Sequence, residues 1–251
     1  MIKKKRNDEG VSEAIGFLIM FTIVLTGIAM VSLVGYPMLL ETQVSSDERN
    51  MEQAMIAIQN DMKIMTFSNV PYRDSTIKVS GGGLTAFDKN SFGQEFRITT
   101  DDVDLEFKPG AIQYESDEGT AVMTLTNGAI VRREKFQEGS AMLAEPRWFY
   151  DSDENALVIF IISLNADREF YQSGIGTIQM SMKEQPVTTN SVPGTIKITY
   201  NSDPNDDYSV AWRNYLTGES LGFTDVGSGN YELYGAQRLV IKEYNIKIEN
   251  M

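Results

Sequence analysis

The sequence contains no cysteine and no histidine. The first absence excludes a disulfide framework, a thiolate zinc site and a cysteine nucleophile. The second removes the commonest general base, the usual Ser-His-Asp arrangement and every imidazole metal ligand. Asn-x-Ser/Thr glycosylation sequons are missing too, as are G-x-G-x-x-G, Walker A and G-x-S-x-G patterns. Carboxylates, lysines and tyrosines can still do chemistry, but nothing in their spacing marks a catalytic centre. The expectation is a protein without enzymatic activity and without a cofactor.

Positive charge is also scarce: 22 Lys and Arg stand against 35 Asp and Glu, a formal net charge of −13. The first ten residues run against this trend, with Lys3, Lys4, Lys5 and Arg6 outweighing Asp8 and Glu9 by +2. Subtracting that +2 from the total of −13 leaves −15 on the rest of the chain. Such a surface repels phosphate backbones, so nucleic acid is not an expected partner.

What the chain does have is one long apolar run. From Ala14 to Leu40 there is no acidic or basic side chain over 27 residues. As a helix this run is roughly 40 Å long, more than the ~30 Å hydrocarbon core of a bilayer. Soluble helices rarely stay apolar on every face over that length, so the run reads as a membrane span. Basic residues before it and acidic sequence after it put the N-terminus in the cytoplasm and the bulk outside. A secretory signal has a shorter apolar region ending in a small-x-small site. Gly27-Ile28-Ala29 has that form, but apolar sequence continues beyond it.

Past Leu40 the pattern becomes one-sided. Met51, Met55, Ile58, Met62 and Met65 recur at spacings of four and three, the signature of a single apolar stripe. The stripe is expected to pack on a following sheet. Asn69 and Pro71 are the expected stop, since proline removes a donor and disfavours helix at the residue before it. Pro37, close to Gly35, is expected to kink or locally melt the helix between its two halves.

After residue 71 the helical period gives way to short β-rich runs between turn signals. They are STIKVS, QEFRITT, VDLEF, AIQYES, AVMTLT, AIVRRE, ALVIFIISL, GTIQMSMK, GTIKITY and RLVIKEYNIKIE. Asn127-Gly128 between two of them is a hairpin signal of type I′. ALVIFIISL, apolar throughout, reads as a central strand covered on both faces. Gly81-Gly82-Gly83 reads as a flexible connection. The fold class is therefore α+β: a long N-terminal helix, then a mainly antiparallel β domain, as a sandwich or a curved sheet packed on the helix. The expected divisions are a basic leader 1–10, a transmembrane or assembly helix 11–40, an amphipathic continuation 41–70 and an extracytoplasmic β-rich domain 71–251.

The stretch KKKRNDEG-VSEAIGFLIMFTIVL resembles the class III signal of archaeal pilins and archaellins, and VSEAIG resembles the VSxxIG start of many archaeal pilin-like sequences. The resemblance implies that a prepilin-type peptidase cuts after Gly10, leaving Val11 as the mature start. It also implies that the apolar helix stays with the mature protein and passes from membrane lipid into a filament core. Implied partners are copies of this chain or other pilin-like subunits and the pilus assembly machinery. Glu13 falls at the third mature position, whereas bacterial type IV pilins carry their acid at the fifth. In the first mature turn Glu13 complements the helix macrodipole, and by resemblance it could also pair with the amine of a neighbouring subunit. The order of an ERNMEQA-like helix, a GAIVRRE-like hairpin and a closing KEYNIKIE-like strand resembles a group of archaeal pilin-like surface proteins of uncharacterised function. Gly16, Gly27, Ala29 and Gly35 are the small residues that would permit close helix approach.

Two readings stay open at this level: a filament subunit, or a membrane-anchored surface protein whose β domain binds or adheres without polymerising. Weaker signals accompany them. Asp151, Asp153, Glu154 and Asn155, and Asp203, Asn205, Asp206 and Asp207, place alternating oxygens in two loops that could hold calcium or simply form solvated turns. Asp101, Asp102 and Asp104 supply carboxylates but no defined pair across a cleft. Trp148, Phe149, Tyr150, Trp212 and Tyr215 suit core packing or a sugar-stacking surface.

The processing expectation is testable directly: N-terminal or intact-mass analysis of the native protein should give a chain starting at Val11. An intact Met1 start, or a start near Met30, would overturn it.

Overall fold

The computed structural model describes residues 8–68, 70–182, 184, 186–203 and 205–251, with backbone alone for 8–12. The basic leader residues Lys3 to Arg6, the stop residue Asn69 and the turn residue Pro204 lie outside the described residues. Helix α1 is Asp8–Met30 and α2 is Tyr36–Phe67, joined by a π-helical turn at Val31–Gly35. The chain divides into two compact units, 1–46 and 47–251.

The π turn is the form that the expected kink takes. The Tyr36 amide bonds back to the Val31 carbonyl, one residue further than in an α-helix. Pro37 has no N–H to give, and its ring crowds the carbonyl four residues earlier. A wider turn just before it absorbs that conflict, so the helix continues without melting.

In the second unit the strands are β1 (Tyr72–Phe87), β2 (Glu95–Thr99), β3 (Asp104–Phe107), β4 (Ala111–Ser116), β5 (Ala121–Thr126), β6 (Ala129–Glu134), β7 (Ser140–Ala144) and β8 (Trp148–Asp151). They continue as β9 (Ala156–Ala166), β10 (Phe170–Met182), β11 (Val187–Ser191) and β12 (Thr195–Asn201). After a short helix α3 (Ser209–Leu216) come β13 (Thr224–Gly227), β14 (Asn230–Tyr234) and β15 (Arg238–Asn250). A ten-stranded sheet runs β7-β6-β5-β4-β1-β10-β15-β9-β8, with β11 added on β15, and a five-stranded sheet runs β13-β14-β12-β2-β3. Pairing is antiparallel except between β15 and β9.

The large sheet is covered on both faces. On one, Met51, Met55, Ile58, Met62 and Met65 of α2, all at most 1% exposed, pack with Ile77, Tyr114, Met123, Ile178 and Ile246. On the other, Phe96, Ile198, Trp212 and Tyr231, from the small sheet and α3, pack with Leu157, Ile159 and Ile161. Strand β9 shows why ALVIFIISL is apolar throughout. Its odd positions from Leu157 to Ile161 face the small sheet, while Ile162 and Leu164 face the helix.

Polar anchors fix the helix on the sheet. Glu48 pairs with Arg132 of β6 at 2.9 Å. Gln59 donates to the Gly128 carbonyl at 2.6 Å, and Asp61 accepts from Arg73 at 2.8 Å and from Ser75. The receiving turn is the expected hairpin: Asn127 and Gly128 have φ of 48° and 73°, and Thr126 pairs with Ala129. The Asn127 side chain in turn accepts the Ile162 amide at 3.0 Å, tying the hairpin to β9.

Gly81-Gly82-Gly83 is not a flexible connection. The three glycines lie inside β1, at a register irregularity between Val79 and Leu84. A Cβ on Gly82 would stand 2.2 Å from the Glu115 carbonyl oxygen, and one on Gly83 would meet the Tyr171 ring at 2.4 Å. The run is glycine because neighbours approach its backbone too closely for a side chain.

Two outcomes follow. The amphipathic helix belongs to the second unit, so a fragment 47–251 should unfold cooperatively as a β-rich monomer, whereas 71–251 should aggregate on its bare sheet. The five stripe side chains contribute roughly 7–15 kcal/mol at ~1.5–3 kcal/mol each, comparable to a domain's whole stability. Size exclusion and denaturant titration of the two fragments check this. In the longer fragment, Gly82→Ala should lower stability by about 1–3 kcal/mol, the usual cost of overpacking, read as a shifted urea midpoint.

Candidate membrane and assembly helix

The stretch Glu13–Phe67 is long and apolar enough to cross a membrane, with a peak mean hydropathy of 2.6, and none of that peak window is buried inside the protein. Large apolar side chains stand exposed along it, from Ile15 through Phe21, Leu25 and Leu33 to Leu40. Three of its threonine hydroxyls are satisfied within the helix: Thr22 donates to the Leu18 carbonyl, Thr26 to that of Thr22, and Thr42 to that of Met38, all within 2.8 Å. These bonds let threonines sit in hydrocarbon without an orphan donor. The Phe17 and Phe21 rings stack at 6.0 Å, one turn apart.

Gly16 and Gly27 have open space where a Cβ would be, and at Gly35 the nearest atom is a Val31 methyl at 4.0 Å. Gly16 and Gly27 are eleven residues apart, which returns them to within roughly 20° of each other around the helix. Gly35 closes the π turn, off that alignment. Glu13 is exposed on α1. Gly10 and Val11 lie in the first turns of α1, and their side-chain surroundings are outside the described residues.

In the β body the weaker candidates resolve into turns and core. Asp151 accepts the amides of Asp153 and Glu154, Asp203 those of Gly93 and Asn205, and Asp207 that of Ser209. Among the described residues no three acidic groups come together in a way that could hold a metal ion. Asp104 is paired with Arg97 at 2.5 Å, and Asp102 accepts from Thr100 and Ser191. Trp148 and Trp212 lie in the core with ring centroids 5.7 Å apart, beside Tyr215, while Phe149 is half exposed.

A polar layer between the two sheets escaped the sequence. Arg133 binds Asp206, whose other oxygen accepts from Gln113 at 2.8 Å. Tyr208 meets Thr124 at 2.6 Å, and Gln94 bridges Thr126 and the Tyr200 hydroxyl. Burial first, and the Asp206 carboxylate second, push the Tyr208 phenol up to about 12, so it stays a neutral hydrogen-bonding group. The available signal was Asp207 ahead of Ala211, Trp212, Tyr215 and Leu216, an acid just before a helical apolar face. A cavity of about 520 Å³ opens between α3 and the small sheet, lined by Arg213, Asp225, Tyr231 and the Gly227–Gly229 turn.

No curated protein and no solved structure matches the chain. Its sequence from residue 9 to 249 does match one family, so helix and body together are one inherited unit, and the chain belongs to the family of unknown function DUF7289.

Proposed function

We propose that this chain is a pilin-like surface subunit, inserted in the membrane by its N-terminal helix and assembled into an extracellular filament with the β body outward. The observation that supports this reading is a helix with exposed apolar side chains from Ile15 to Leu40, all preceding the one-sided stripe that seats on the sheet. Such a surface needs a covering. Lipid supplies it before assembly, and other helices do so afterwards. The basic residues ahead of Gly10 and the VSEAIG start fit removal of residues 1–10 by a prepilin-type peptidase. No catalytic step is assigned to the chain.

A helix that only anchors has no use for close approach of neighbouring backbones, whereas a bundled one does. Gly27 separates the two cases because it stands mid-span with open space around it. Gly27→Leu therefore introduces no clash within the single chain and adds apolar surface that lipid accepts. In a filament the same bulk meets a neighbouring helix, at about 1–3 kcal/mol for an overpacked contact, repeated in every subunit. Sheared surface filaments should be lost while protein in the membrane fraction stays at the wild-type level. Abundant membrane protein with no sheared polymer from the wild type would replace the filament with a non-polymerising anchored protein bearing a binding or adhesive ectodomain.

A further inference from the structure

Three cations gather at the C-terminal end of α2. The Arg147 guanidinium lies 4.1 Å from the ring centroid of Phe67 and 4.8 Å from that of Phe160. The Lys242 ammonium is 5.7 Å from the Phe160 centroid. Phe160 is edge-on to Phe67 at 5.1 Å and stacked with Tyr244 at 6.2 Å, forming one aromatic plate under the charges. Lys63 joins them one turn before Phe67: burial, and then the Arg147 charge, hold its ammonium below the usual lysine range. None of the three makes an ion pair among the described residues. Ring faces position a cation but leave its charge unneutralised. An arriving anion would be attracted by both cations and offset the repulsion between Lys63 and Arg147.

The opposite end of the same body is acidic. Asp47 packs against Gly81, whose carbonyl accepts the Asp117 amide at 3.0 Å. Burial, and then the carboxylates of Glu48, Asp47 and Asp117, raise the Tyr114 phenol above its ordinary value, which places all three acids around it. Glu48 is neutralised by Arg132 and Glu115 by Lys135, but among the described residues Asp47, Asp117 and the adjacent exposed Glu118 are in no ion pair, and exposed Arg49 offsets one of them. Lys63 follows Asp47 by sixteen residues of helix, about 24 Å at 1.5 Å per residue. That exceeds the ~8 Å screening length at physiological salt, so the two ends do not neutralise each other within one chain.

We infer that the Lys63, Arg147 and Lys242 patch docks the Asp47, Asp117 and Glu118 end of a second copy of this chain, so that β bodies associate head to tail. The two surfaces differ and lie apart on the body, so the contact is heterologous and extends as an open chain instead of closing as a dimer. The inference deepens the filament reading and rests on it, since repeated head-to-tail contact between bodies requires a polymer.

The test uses the full chain as it exists, in sheared filaments and separately in membranes, treated with a zero-length carbodiimide and mapped by mass spectrometry. An amide between Lys63 and Asp117 or Glu118 spans two copies: Asp117 bonds to Gly81 beside Asp47, and Lys63 stands about 24 Å along the helix from Asp47. The expected result is that cross-link in filaments, reduced about tenfold in Arg147→Glu and retained in Arg147→Lys. Filaments lacking the cross-link, or showing it at full yield in Arg147→Glu, overturn the docking and leave the filament reading intact. If no filament can be sheared from wild-type cells, the filament reading falls. The docking, which rests on that reading, falls with it.

Discussion

The structure depends on one packing contact, the methionine stripe of α2 against the large sheet. A ten-stranded sheet with two apolar faces needs cover on both, and the small sheet with α3 supplies only one. The stripe from Met51 to Met65, buried against the large sheet, covers the other. Unbranched methionine suits the task because its flexible thioether fills the irregular surface of a twisted sheet. Apolar contact alone is non-directional, so it does not fix how far the helix slides along the sheet. Glu48, Gln59 and Asp61 do so, each meeting a defined partner on β6, on the Asn127-Gly128 turn or on β1. Glu48 lies about one turn before Met51, and Gln59 and Asp61 lie between Ile58 and Met62, so the helix is tethered at both ends of its stripe and to different parts of the sheet.

The same helix obeys a different rule before residue 41. There it keeps apolar side chains on every side and satisfies its threonines internally, as a segment must when its surroundings offer no hydrogen bonds. The π turn at Val31–Gly35 falls within the apolar half, so the accommodation of Pro37 takes place before the helix becomes one-sided. The helical sequence thus carries two compositions, apolar on every side before residue 41 and one-sided where it packs on the sheet.

How much of this was legible depends on the range of the interaction. The helix, its stripe, the Asn-Gly hairpin and the doubly covered strand β9 are written in local periodicity, and the structure has them where the sequence puts them. The division into a large and a small sheet was not legible, because strands such as β2 and β12 look like those of the large sheet until pairing is known. The glycine run misled for a related reason. Gly81 to Gly83 carries the composition of a linker, but its glycines answer to Glu115 and Tyr171, which only the fold brings near. Arg133 and Asp206 are 73 residues apart in sequence, and neither carries a local sign of the other.

The distribution of charge gains its meaning from that fold. A net charge of −13 describes a chain that repels copies of itself, which keeps subunits apart in solution and opposes any contact between bodies. Repulsion summed over a whole surface does not prevent attraction at one place, provided that place concentrates the minority sign. With few cations available, leaving Lys63, Arg147 and Lys242 together and unpaired has a large local effect against an acidic background. Among the described residues other cations stand in ion pairs, Arg132 with Glu48, Arg133 with Asp206 and Lys197 with Glu232 among them. The contrast between cations committed to holding the fold and cations left facing outward separates a surface that merely keeps the protein soluble from one that selects an orientation. At physiological salt such a patch acts only over about 8 Å, so it does not draw subunits together from afar. In the proposed filament its part would be to discriminate among orientations once the burial of apolar helices had brought the bodies together.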